Sequence, residues 1–236
     1  LYLFLLRLRL FDEFKDLEHD RRYYPDRPVP RGLVSLNELK YVIVGVIFFE
    51  LLVAWQSSTS LLLFCFIFGY SLLMFKEFFC SDWLKRHFGL YIFSHEISVI
   101  PLVLYLQSLL SPNLMSNLHL SLLYSLFILL CLFLLEVTRK IRPADLDLKS
   151  KDTYSYHYRA SGAGVLVFVL ALFASILGYY FVGWDFSFYS LAAVMLGLLF
   201  YWVRGDKVGC MTLFLSSIVH VFWIMGVTSY YFYSYL

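Results

Sequence analysis

The chain has 236 residues, of which 61% are apolar and 15% carry charge. Soluble globular domains average about 45–50% apolar and about 25% charged residues, so this composition excludes an ordinary soluble domain. The net charge of +2 is small and excludes little by itself. We expect membrane lipid as a partner and no nucleic acid.

The apolar residues come in long runs, which are typical of membrane spans. A spanning helix needs about 20 mostly apolar residues, and spans in lipid must be helical because their backbone has to satisfy its own hydrogen bonds. We therefore predict an all-α polytopic membrane protein with a partial helix before Leu10 and seven complete spans. These spans are predicted at residues 41–56, 61–79, 90–110, 118–137, 162–182, 188–203 and 211–233.

The first polar segment carries a ladder of carboxylates. Residues 12–20 read DEFKDLEHD. If the preceding helix continues, Asp12, Asp16 and Asp20 lie one turn apart on one face, with Glu13 beside them. Such carboxylates repel each other unless a cation lies between them, and their oxygens suit Mg²⁺ shared with substrate phosphates. The alternative interpretation is a solvated helix of mixed charge.

Three polar positions fall inside the predicted spans: Glu50, the pair His95 and Glu96, and His220. Charged side chains at membrane depth are costly, which makes these positions candidates for function. Glu96, beside His95, is predicted to orient an acceptor or take its proton. A protonated, hydrogen-bonded Glu50 and a hydrogen-bonded core histidine at His220 are open alternatives.

A second polar segment follows the fourth predicted span. Residues 136–147 read EVTRKIRPADLD, and Lys151 follows a few residues later. Similar loops after corresponding helices of two repeats commonly build a site at the repeat interface. We expect a diphosphate between the two segments, in contact with a carboxylate-held metal and with basic side chains. The alternative is a basic loop held at anionic lipid.

All 19 Lys and Arg residues fall in alternate connections if every predicted span crosses the membrane. These four connections begin at about residues 7, 76, 139 and 204, and the opposite connections are short, with Asp185 as their only charge. The positive-inside rule then places the four basic connections in the cytoplasm. We expect an integral protein of the bacterial inner membrane whose polar segments face the cytoplasm.

These segments resemble motifs of the UbiA superfamily of intramembrane prenyltransferases. The family pattern N-D-x-x-D-x-x-x-D is similar to residues 12–20, and its R-P-x-x-x-G turn is similar to residues 27–32. In the second motif, Lys140 and Pro143 stand where the family has aspartates. The resemblance implies one UbiA-like domain over residues 1–236, belonging to a nine-helix bundle whose first helix and most of whose second precede residue 1.

The resemblance also implies an activity and a set of ligands. The activity is transfer of a prenyl group from a Mg²⁺-bound prenyl diphosphate to an unidentified aromatic or other lipophilic acceptor. The implied metal ligands are Asp12, Glu13, Asp16, Asp20, Asp145 and Asp147. The implied diphosphate ligands are Arg27, Lys85, Arg86, Arg139, Lys140 and Lys151.

The altered second motif leaves several alternatives open. Lys140 supplies the charge of a second metal, or a second metal binds through Asp145 and Asp147, or activity is lost. If activity is lost, the chain is a non-catalytic isoprenoid-binding membrane protein. A further alternative keeps the fold and transfers phosphoribose to a polyprenyl phosphate.

Overall fold

Helices form all the regular structure in the residues that the computed structural model describes, which are 1–110, 114–143, 153–182 and 184–235. The prediction of an all-α protein is confirmed. The helices group into two compact units, Leu1–Asn113 and Leu114–Leu236. The prediction of one domain stays a prediction.

The first unit contains seven α-helices and a short 3₁₀ turn, Glu77–Phe79. The helix α3 starts with a capping box, in which the Ser35 side chain and the Glu38 side chain each bind the other's backbone N–H. Pro101 accounts for the break between α6 and α7, because it lacks an N–H and its ring crowds the preceding turn. The helices are α1 Tyr2–Lys15, α2 Leu17–Tyr23, α3 Leu36–Ala54, α4 Ser58–Phe75, α5 Ser81–Arg86, α6 Phe88–Glu96 and α7 Val99–Leu110.

The second unit contains four long helices. Arg159 has φ 60° and ψ 169°, a non-helical conformation that kinks the second of them. The last two helices pack closely where Gly197 faces Ser216. The lack of a side chain at Gly197 permits this, since an added Cβ would collide with Oγ of Ser216. The helices are α8 Leu118–Arg139, α9 Tyr154–Val182, α10 Trp184–Arg204 and α11 Lys207–Tyr235.

Five helical segments are long and apolar enough to cross a membrane. The class of helical integral membrane protein is therefore supported. The apolar segment Tyr189–Arg204 is shorter, and α3 carries three charged residues, so neither is among the five. The prediction of seven spans stays a prediction. The five segments are Ser58–Phe75, Phe88–Leu110, Leu118–Arg139, Tyr154–Phe181 and Lys207–Tyr230.

A buried ion pair joins three helices of the first unit. Arg7 of α1 is fully buried, and its Nε donates to Oε2 of Glu50 on α3 at 2.6 Å. Its Nη1 donates to Oγ of Ser71 on α4 at 2.5 Å. We predicted Arg7 as the first residue of a cytoplasmic loop, and this is wrong, because α1 continues to Lys15 and buries the guanidinium between α3 and α4.

Candidate functional site

The carboxylate ladder lies on an almost continuous helix. The backbone N–H of Asp16 donates to the carbonyl of Asp12 at 2.8 Å, and that of Asp20 donates to the carbonyl of Asp16 at 2.8 Å. These bonds carry the helical spacing from α1 into α2, although Asp16 itself, with φ −96° and ψ 6°, ends α1. The three aspartates therefore follow each other at one-turn intervals, as the sequence predicts.

Two members of the ladder are neutralised by arginines. Glu13 pairs with Arg9 at 2.6 Å, one turn earlier on α1. Asp20 is buried and accepts a hydrogen bond from Nη1 of Arg27 at 2.5 Å. The Arg27 guanidinium also lies over the ring of Tyr24, 4.4 Å from its centroid. The predicted diphosphate ligand Arg27 is thus held by a predicted metal ligand.

The other two members, Asp12 and Asp16, are half-buried and have no ion-pair partner in the described part of the chain. Burial, followed by the negative charge of Asp16, raises the pKa of Asp12. A bound cation would relieve this repulsion. Mg²⁺ is commonly bound by one or two carboxylates together with substrate phosphates, so this pair fits such an ion.

Protein side chains alone do not form a complete metal site in the described ranges. No three His, Cys, Asp or Glu side chains there lie close enough together to hold a metal ion. The ladder therefore offers two available carboxylates, Asp12 and Asp16, and two carboxylates engaged by arginine, Glu13 and Asp20. Further oxygen ligands would have to come from a phosphorylated substrate.

Sequence reasoning missed a group of side chains around Lys15. The ammonium of Lys15 lies 3.2 Å from Oε1 of Glu77 and 3.5 Å from the hydroxyl of Tyr91. Burial alone would lower the pKa of Lys15, but Tyr91 and Glu77 outweigh it and the pKa is raised. Lys15 is therefore a protonated side chain, held by Glu77, in the same helical turn as Asp12 and Asp16.

Glu77 reaches Lys15 through an unusual turn. Glu77, Phe78 and Phe79 have φ values of 46°, 54° and 58°, in the left-handed region that non-glycine residues rarely adopt. The ring of Phe78 packs against the rings of Tyr70 and His95 and holds the turn in place. Strained backbone of this kind is often found at functional sites. No local pattern in the sequence marks this turn, because it contains no glycine.

The predicted acceptor residues lie next to this group. The ring of His95 packs on that of Tyr91 at 4.5 Å, and its Nδ1 lies 2.8 Å from the Tyr91 carbonyl. Tyr91 therefore links His95 to Lys15. Glu96 is half-buried at the end of α6. The structure brings His95 and the carboxylate ladder to the same part of the first unit.

The remaining predicted diphosphate ligands belong to both units or lie outside the described residues. Arg86 is exposed on α5 and donates from Nε to the carbonyl of Asp82 at 3.0 Å, while the side chain of Lys85 is outside the described residues. In the second unit, Arg139 and Lys140 both bind Glu136, at 2.6 and 2.8 Å. Asp145, Asp147 and Lys151 also lie outside the described residues.

The other two polar positions predicted inside spans are Glu50, in the first unit, and His220, in the second. Glu50 is the partner of Arg7. His220 is fully buried beside the backbone of Ser190, and within the described residues neither ring nitrogen makes a well-formed hydrogen bond.

Comparison with known proteins gives no match to a family model, to a curated protein or to a solved structure. The resemblance to the UbiA superfamily therefore stays a prediction from the motif residues.

Proposed function

We propose that this protein transfers a prenyl group from a Mg²⁺-bound prenyl diphosphate to a lipophilic acceptor. The observation that carries the proposal is the pair Asp12 and Asp16 on successive helical turns, half-buried and without a cationic partner in the described residues. The fixed charge of Lys15 beside this pair adds support.

The proposal includes seven spans, a UbiA-like bundle and a cytoplasmic position of the polar segments in a bacterial inner membrane. The Lys15–Glu77 ion pair supports it, since this pair joins the first two basic connections at one end of the first unit. In the second unit, Arg142 and Lys207 line one groove, which joins the third and fourth basic connections in the same way.

The ligand roles follow from charge and position. Asp12 and Asp16 hold Mg²⁺, which when bound neutralises the charge that develops on the diphosphate as the allylic C–O bond breaks. Lys15, the last residue of α1, adds a preorganised positive charge next to Asp12 and Asp16. The electron pair of the C–O bond leaves with the diphosphate. Among the basic residues of the second segment, Arg139, Lys140 and Lys151 remain the candidates to bind it.

The acceptor attacks the prenyl carbon from the aromatic side of the site. Tyr91 and His95 present ring faces near Lys15, and such faces stabilise a neighbouring positive charge. The acceptor's nucleophilic atom bonds to the prenyl carbon, and its proton passes to the carboxylate of Glu96.

A specific observation favours a second candidate, a non-catalytic isoprenoid-binding protein. Arg9 neutralises Glu13, and Arg27 neutralises Asp20, so half of the ladder is engaged without a metal. In this case the protein binds a prenyl diphosphate and releases it unchanged.

The test is release of diphosphate from radiolabelled geranylgeranyl diphosphate by the full-length protein in detergent, with Mg²⁺ or with EDTA. We expect Mg²⁺-dependent release that falls about 100-fold or more in Asp12→Ala and Asp16→Ala. Asp26→Ala, at an exposed position in the same segment, is the matched control and should keep its activity.

Lys140→Asp separates the alternatives for the second motif. If this variant no longer releases diphosphate, Lys140 replaces a metal. If it still releases diphosphate, Lys140 does not. Tight binding without release in any condition would favour the non-catalytic candidate. Absence of both binding and release with prenyl diphosphates would contradict the proposal.

A further inference from the structure

A groove in the second unit lies between the C-terminal end of α8 and the first turns of α11. Its volume is about 700 Å³, within the range of about 300–1,000 Å³ that is typical of ligand sites. Asp12, Asp16 and the other residues assigned to the first polar segment do not line it. The proposed activity assigns no role to Arg142, to Lys207 or to the apolar residues of this groove.

One end of the groove is basic. Arg139, Arg142 and Lys207 line it and are exposed, and no acidic residue is among the lining residues that the structure describes. Glu136 pairs with Arg139. In the described ranges, the side chains of Arg142 and Lys207 have no acidic partner. Within the described residues, two positive charges at this end therefore have no acidic partner.

The rest of the groove is apolar and runs along α11. Val208, Met211 and Leu215 follow each other at intervals of three and four residues, so they share one helix face. Met211 and Leu215 are 55% and 50% exposed. Ile141 and Phe214 complete the apolar wall.

If the candidate spans cross a membrane, the groove lies where the headgroups meet the acyl chains. One candidate span ends at Arg139 and another begins at Lys207. The basic end therefore coincides with the ends of two spans, and the apolar wall extends from there into the span that starts at Lys207. Basic pockets between membrane helices at this depth are suited to acidic lipid headgroups.

We propose that this groove binds an anionic phospholipid, with its phosphate at Arg142 and Lys207 and an acyl chain along Val208, Met211 and Leu215. Charge complementarity selects an anionic headgroup, and the planar guanidinium of arginine matches phosphate oxygens. The continuous apolar wall requires an attached chain, which free phosphate lacks. Arg142 and Lys207, which bind the headgroup, have no part in the proposed prenyl transfer.

The headgroup contact is tested by native mass spectrometry of the detergent-solubilised protein titrated with phosphatidylglycerol or phosphatidylcholine. We expect selective retention of phosphatidylglycerol, with about thirtyfold weaker binding in the double variant Arg142→Gln/Lys207→Gln. The matched control Arg31→Gln/Lys40→Gln removes the same charge at exposed positions of the first unit and should bind normally. Equal loss in both double variants, or no preference between the lipids, would overturn the proposal.

The acyl-chain contact needs a variant that leaves charge unchanged. Thr212→Trp fills the groove, and Leu196→Trp places the same ring at an exposed position outside it. We expect the first variant to lose phosphatidylglycerol and the second to retain it. Displacement of the lipid by millimolar inorganic phosphate, or equal retention in both variants, would show that no acyl chain occupies the groove and would overturn the proposal.

Discussion

Asp12 gives the candidate site a dependence on pH that can be measured without a substrate. Burial and the charge of Asp16 raise its pKa above the ordinary value of 3.8. A carboxyl group with a raised pKa in the folded protein contributes stability below its unfolded pKa, and this stability is lost as the pH rises through the folded pKa. At neutral pH and without a divalent cation, the ionised Asp12 is therefore destabilising.

We predict that Asp12→Asn raises the melting temperature at pH 7 in EDTA by about 1–3 °C. The difference should disappear in Mg²⁺, which stabilises the wild type, and below pH 3.8, where the wild-type carboxyl is protonated. Differential scanning fluorimetry in detergent measures this, with Asp26→Asn as the exposed control. A lower melting temperature for Asp12→Asn in EDTA would contradict the assignment.

At the residue scale, the sequence predicts what depends on helical spacing and misses what depends on tertiary contact. The interval between Asp12 and Asp16 is set by one turn of helix, and their backbone hydrogen bond agrees with it. The arginines that neutralise Glu13 and Asp20 also lie nearby in sequence. In contrast, Glu77 lies far along the chain from Lys15, and no local pattern marks this contact.

The ion pair between α1 and α3 is expected to contribute strongly to the stability of the first unit. Arg7 and Glu50 are both buried, and removal of one partner of such a pair costs about 3–5 kcal/mol because the other charge is left unpaired. We predict this loss for Arg7→Met. We also predict that the double variant Arg7→Met/Glu50→Leu recovers most of it.

The control for these Arg7 and Glu50 variants is the exposed ion pair on the same helix. Arg9→Met breaks the Arg9–Glu13 pair, and exposed pairs contribute about 0–1 kcal/mol. Reversible unfolding in mixed micelles measures the free energy of unfolding of each variant. If Arg7→Met loses no more than Arg9→Met, the buried pair does not hold these helices together.

At the scale of elements, hydropathy predicts the spans better than the helix ends. The span predicted at residues 118–137 corresponds to α8, Leu118–Arg139. The span predicted at 61–79 ends early, at Phe75, because the left-handed turn of Glu77 follows. The helix α9 begins well before its predicted span and passes through Arg159 with a kink. Apolar runs mark the part of a helix in lipid, whereas caps and tertiary contacts set its ends.

For the whole molecule, the proposed topology places Lys40, Arg86, Arg142 and Lys207 on the cytoplasmic side. We predict that single cysteines at these positions, in a protein whose native cysteines are replaced, react with a membrane-impermeant maleimide only in inverted vesicles. Cysteines at Gln56 and Ser116 should react only in right-side-out vesicles. The native cysteines are Cys65, Cys80, Cys131 and Cys210.

The topology would be contradicted if the cysteines at the four basic positions reacted in both kinds of vesicle. It would also be contradicted if some of them reacted only in inverted vesicles and others only in right-side-out vesicles. That result would mean that α3 or the segment Tyr189–Arg204 does not cross the membrane. Both are at the margin: α3 contains Glu38, Lys40 and the ion-paired Glu50, and Tyr189–Arg204 is short for a span. The charge pattern along the sequence predicts the topology, but helix length and composition alone do not decide it.

The central claim is that Asp12 and Asp16 hold a divalent cation that carries a prenyl diphosphate. The most direct measurement replaces Mg²⁺ by Mn²⁺ and records its electron paramagnetic resonance with the full-length protein and geranylgeranyl diphosphate. We predict a protein-bound Mn²⁺ with ³¹P hyperfine coupling, which Asp12→Asn/Asp16→Asn abolishes. A spectrum of Mn²⁺ free in solution, or one that is unchanged in the double variant, would contradict the claim.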